Sequence, residues 1–166
     1  MTARLVGWLY RQEFLDRCAP DDFGYGPLVK VERDQLRHLN VLFSLDAADV
    51  EREARRRHGH KRQQGIAVSV VDQSVPAYEL DIEGCAGEMA ARRYVGLPPT
   101  LDLYDGGDPG YDFISPRGNR VEVKSTNKHH GRLFFRTREQ LAHADVAVLV
   151  IVTGARSQQV GDGWLV

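Results

Sequence analysis

Cysteine is nearly absent from this chain. Cys18 and Cys85 stand far apart with no metal-ligand spacing around them, so neither a disulfide framework nor a cysteine-built metal site is indicated. Also missing are a signal-peptide pattern and any apolar run long enough to span a bilayer. These absences lead us to expect a cytoplasmic protein in a reducing compartment, with no membrane partner. Net charge is almost nil, at −1. A protein that only coats nucleic acid needs a broad basic field, so any nucleic-acid surface here must be a local patch. There is no internal repeat and no low-complexity linker, which points to one compact unit.

What is present is ordinary globular usage. The 166 residues are 42% hydrophobic and 27% charged, enough for one domain with a real core. Pro76 marks a boundary between a largely helical N-terminal extension, residues 1–75, and a core, residues 76–166. In the extension, Leu5 to Tyr10 reads as a strand or a short helix. Trp8 and Tyr10 are more readily packing residues than stacking platforms for bases. From Val31 to Gln64 helical character dominates. Leu36, Leu39, Val41, Leu42, Leu45 and Val50 have helix-compatible spacings, and Ser44 or Asp46 can open a second helix.

In the core, apolar residues alternate with polar ones over Tyr111–Ser115 and again over Arg120–Lys124. Between these runs lies Pro116-Arg117-Gly118. Proline presets φ and glycine admits positive φ, so a turn is expected there. With the turn centred on Arg117, Asp112 falls opposite Glu122, with β-carbons roughly 4.5–5.5 Å apart. Glu122 and Lys124 share one strand face, and Val121 and Val123 share the other. Two carboxylates facing each other repel, and a divalent cation removes that repulsion. Mg²⁺ is typically held by one or two carboxylates plus water and phosphate oxygens. An ammonium beside such a site, here Lys124, can orient water or offset charge developing on a phosphate. The competing reading is an exposed hairpin with solvated Glu–Lys pairs.

Asp112 followed by Glu122-Val123-Lys124, with Glu88 on an upstream helix, resembles the PD-(D/E)xK nuclease superfamily. The order of elements is similar to that family's core of helix, three strands, helix and strand. Here these are helix Gly84–Tyr94, strands Tyr111–Ser115, Arg120–Thr126 and Leu133–Arg136, helix Thr137–His143 and strand Val146–Thr153. The stretch GCAGEMAARRYVGL is also similar to small uncharacterised proteins encoded by bacteriophages. The family's proline before the aspartate is Tyr111 here. The resemblance implies an α/β fold with a mixed sheet and a restriction-endonuclease-like core. It implies a metal-dependent nuclease acting on DNA rather than RNA, with catalytic residues Glu88, Asp112, Glu122 and Lys124. Mg²⁺ or Mn²⁺ would be held by Asp112, Glu122 and Glu88. Symmetric cutting of two strands would favour a homodimer. The other reading in play is a catalytically silent nucleic-acid-binding or assembly module on the same fold.

Candidate phosphate contacts are Arg52, Arg55 and Arg56 on a basic helix, and Lys128 and His130 in the loop after the Glu-Val-Lys strand. The basic helix has a competing reading as a solvated face whose arginines pair with Glu51 and Glu53. Asp102, Asp105 and Asp108 read as turn residues. Val146–Val152 reads as a buried central strand, because it is apolar on both faces.

Overall fold

A computed structural model describes residues 1–10, 29–31, 36–65, 76–105, 109–131, 133–135 and 142–154. The described residues form a mixed α+β fold. In chain order they are β1 (Thr2–Tyr10), β2 (Val29–Val31), β3 (Arg37–Ser44), α1 (Ala47–Gln63), α2 (Ala77–Tyr94), β4 (Phe113–Ile114), β5 (Arg120–Thr126), β6 (Leu133–Phe135) and β7 (Val146–Thr153). One sheet has five strands in the order β3-β1-β7-β5-β4, and β2 pairs with β6 in a separate antiparallel ribbon. Within the large sheet only β5 and β7 run parallel. Most of the helix expected at Thr137–His143 lies outside the described residues.

β7 sits at the centre because both its faces are apolar. Val146, Val148, Val150 and Val152 face one buried cluster, and Ala147, Leu149 and Ile151 face the other. The first cluster is capped by α2 through Cys85, Ala86, Met89 and Ala90. Small residues let that helix approach closely. A β-carbon added to Gly87 would lie 1.9 Å from Ser125 Oγ, so only glycine fits against β5 at this spacing. α1 then packs on α2, with its N-terminus capped by Asp46, whose carboxylate accepts from Ala48 N at 2.7 Å.

The expectation of a largely helical N-terminal extension is corrected by the structure. α1 is a helix, but β1 and β3 are strands, and β1 joins β7 in the central sheet. In β3, Leu39, Val41 and Phe43 are partly buried on one face while Leu42 is 61% exposed on the other. The period of two therefore wins over the spacing of three that Leu36, Leu39, Leu42 and Leu45 also satisfy. In β1 a bulge at Val6 shifts the register between Leu5 and Gly7. The shift flips the alternation, sending Leu5 and Trp8 to one cluster and Val6 and Leu9 to the other. None of the described helices is long and apolar enough to cross a membrane.

Candidate active site

The hairpin of β4 and β5 is built as its turn chemistry dictates. Gly118 takes φ +82°, and its N–H closes the turn on Ser115 O at 2.8 Å. Phe113 pairs with Val121 and Ile114 with Arg120, so the register is centred on Arg117, and the pairing ends at Phe113 with Asp112 just beyond it. Asp112 N donates to Val121 O at 2.8 Å. The Asp112 carboxylate then takes over where the ladder ends, accepting from Val123 N at 2.6 Å through Oδ2. At the other end of β5, Asp145 receives Arg120 Nε at 3.0 Å, Nη2 at 2.8 Å and the backbone N at 2.9 Å. This fork ties the start of the strand to the residue preceding β7.

Glu88 reaches the same place from α2. It is 3% exposed, and its Oε2 accepts from Arg57 Nη1 at 2.9 Å. Arg57 Nη2 lies 3.8 Å from Asp112 Oδ1, so one guanidinium faces both carboxylates. Burial, and next the charge of Asp112, push the Glu88 carboxyl up to about 9, against the opposing pull of Arg57 and Arg92. Cys85, one turn earlier, also touches Arg57, yet burial pushes its thiol up to about 12. It is a packed side chain and not a nucleophile.

Glu122 and Lys124 form an ion pair with each other on the sheet face away from Val121 and Val123. Glu122 is 7% exposed, and the Lys124 ammonium lies 5.6 Å from the centre of the Phe135 ring. The four motif residues thus fall into two groups, Glu88–Arg57–Asp112 gathered at α2, which packs on the Val121 and Val123 side of the sheet, and Glu122–Lys124 on the other face. Asp112 joins them through the Val123 N–H between Glu122 and Lys124. Among the described residues no three Asp, Glu, His or Cys side chains converge as a ready metal cage. In kind, however, the donors are hard carboxylate oxygens, the type Mg²⁺ and Mn²⁺ take. An open apolar cavity of about 500 Å³, lined by Leu5, Trp8, Tyr94, Phe113, Arg117 and Val148, includes none of these residues in its wall.

Comparison with protein families, curated proteins and solved structures gives no match to this chain.

The expected phosphate contacts are not gathered at this site. Arg52 pairs with Asp49 at 2.5 Å and Arg55 with Glu51 at 2.6 Å, both arginines well exposed on α1. Arg56 is tied to Glu53 at 2.7 Å and to the Leu101 carbonyl. Lys128 and His130 are exposed on the loop after β5. The opposite face of α1 turns inward. Lys61 Nζ and His58 Nδ1 each lie 2.8 Å from the buried Asp81 carboxylate on α2, and His60 Nε2 lies 3.1 Å from Tyr104 O. Asp102 is not a free turn residue: it takes Arg92 Nη1 at 2.9 Å. Sequence reasoning missed Arg57 and Arg92. A signal for Arg57 existed, since Val50 and Ala54 are the buried stripe of α1 and positions 57, 58 and 61 continue it.

Proposed function

We propose that this chain is a metal-dependent nuclease that hydrolyses phosphodiester bonds, with DNA favoured over RNA as substrate. The observation that carries the reading is that Asp112, its carboxylate held by the Val123 N–H between Glu122 and Lys124, shares Arg57 with the buried Glu88, while Lys124 pairs with Glu122. The order α2, β4, β5, β7, with β5 parallel to β7, supports a restriction-endonuclease-like core as part of the same proposal, while β6 departs from it by pairing with β2 outside the large sheet.

Asp112, Glu122 and Glu88 would hold Mg²⁺ or Mn²⁺. Such an ion, when bound, supplies Lewis-acid stabilisation of the phosphoryl oxygens and a more acidic water. The chain's own residues do the rest. The Val123 N–H fixes one Asp112 oxygen and so aims the other away from the strand. Lys124, with its ammonium on the Glu122 carboxylate, stands where it can orient the attacking water or offset charge on the phosphate. Arg52, Arg55 and Lys128 are exposed cations available to steer the backbone of a nucleic acid, His130 is an exposed polar neighbour of Lys128, and symmetric cleavage would call for a homodimer.

A second reading, a silent nucleic-acid-binding or assembly module, is favoured by one specific contact. Arg57 already faces Glu88 and Asp112, as a structural counterion would. A cleavage screen over single-stranded, duplex and branched DNA and over RNA separates the two. The nuclease cuts with Mg²⁺ or Mn²⁺ and stops with EDTA. The silent module binds without cutting under every condition.

A further inference from the structure

The contact of Arg57 with both Glu88 and Asp112 has a use beyond pairing charges. Its guanidinium lies 2.9 Å from Glu88 and 3.8 Å from Asp112. It is the positive group between two carboxylates that the nuclease reading assigns to a divalent cation. It comes from α1, while both carboxylates belong to the α2–β4 side of the site. Two cations on the same oxygens repel strongly in so dry a place, where Glu88 is 3% exposed. We propose that Arg57 is a positioning residue that stands in for the metal: it holds Glu88 and Asp112 together in the metal-free protein and must withdraw for a divalent cation to bind. The proposal rests on the nuclease reading and adds a competition between an arginine of α1 and the metal.

The fold allows that withdrawal. α1 does not depend on Arg57 for its docking, because Val50 and Ala54 are buried and Lys61 and His58 both hold Asp81. Arginine is a long side chain with a charge that is never lost by deprotonation, so it leaves by moving and not by titrating. Binding a cation must displace the internal arginine, and the apparent affinity for metal is lowered by that amount.

The test compares Mn²⁺ binding by calorimetry in the parent, Arg57→Gln and Arg57→Lys. A second measurement uses the parent alone, following exchange of the Arg57 side-chain N–H with water by NMR as Mg²⁺ is added. Competition predicts roughly tenfold or more tighter Mn²⁺ binding in Arg57→Gln, with Arg57→Lys closer to the parent. It predicts faster exchange at Arg57 as Mg²⁺ saturates. Metal binding by Arg57→Gln but not by the parent also supports it. Equal or weaker binding in Arg57→Gln, with the parent binding normally, overturns the competition and leaves the nuclease reading standing. No binding by either protein overturns both. Should Arg57→Gln fail to fold, the parent decides: unchanged Arg57 exchange at saturating Mg²⁺ overturns the proposal.

Discussion

The Asp112 carboxylate accepts the Val123 N–H at 2.6 Å, at the residue of β5 between Glu122 and Lys124. A side chain thus replaces a missing rung of the β4–β5 ladder. The bond fixes Asp112 against the backbone that carries both Glu122 and Lys124. Any account of this hairpin as a solvated surface turn has to explain why its aspartate is 10% exposed and aimed at an arginine.

Replacing Asp112 with Asn tests whether that placement serves a cation. Asparagine keeps an acceptor for Val123 N–H and loses the charge that helps raise Glu88. Without metal the variant should be as stable as the parent within about 1 kcal/mol. With Mn²⁺ at a hundred times its dissociation constant the parent gains about 2.7 kcal/mol, and the variant gains much less. Thermal melts in EDTA and in Mn²⁺ check this. Equal metal shifts in the two proteins would remove Asp112 from the ligand set.

Glu88 makes metal-free stability depend on pH. Its carboxyl is raised from 4.5 to about 9, so across that window the folded chain holds a proton that the unfolded chain has released. Stability therefore falls as pH rises from 4.5 towards 9, by at most about 1.4 kcal/mol per pH unit for one proton. Urea denaturation at pH 5 and pH 8, in EDTA, reads the slope. Glu88→Gln should flatten it, and an unchanged slope would place the responsible proton elsewhere.

Lys124 separates chemistry from binding. If its ammonium acts on the transition state, Lys124→Ala should lower cleavage by roughly 10²–10³-fold while Mn²⁺ binding persists. Calorimetry beside a cleavage assay reads both, and full activity in the variant would rule out the role.

Arg52 and Arg55 remain exposed although each has an acidic neighbour on its own helix. Exposed pairs of this kind are worth under about 1 kcal/mol, so a phosphate can displace the neighbour. Arg52→Glu with Arg55→Glu should weaken substrate binding at low salt and flatten its salt dependence. An unchanged slope would make this face merely solvated. Arg56 is a poor choice for that experiment, because it also binds the Leu101 carbonyl.

The parts of this molecule that were legible in its sequence are those decided locally. Pro116-Arg117-Gly118 sets the hairpin register within a few residues, and the unbroken apolar run of β7 identifies a strand covered on both sides. What was not legible depends on distant partners. The bulge at Val6 breaks the alternation that would have identified β1, and β3 alternates over residues that also fit a helical spacing. Arg57 looked like one more member of a basic run. Only the docking of α1 on α2 separates its inward cations from its outward ones.

Thr2 and Thr153 share a hydrogen bond 151 residues apart in sequence, because β1 lies beside β7. Closing so long a loop carries an entropic cost before any contact repays it. Parallel pairing of β5 with β7 adds a second long-range step. The centre of the sheet is thus completed by its last described strand, and β5, which carries Glu122 and Lys124, gains its inner neighbour only then. A chain cut before Val146 should lose the sheet as a whole, visible as loss of strand signal in circular dichroism. On a ribosome, then, assembly of the sheet beneath Glu122 and Lys124 has to await synthesis of β7, and a half-made chain is a protein without its central strand.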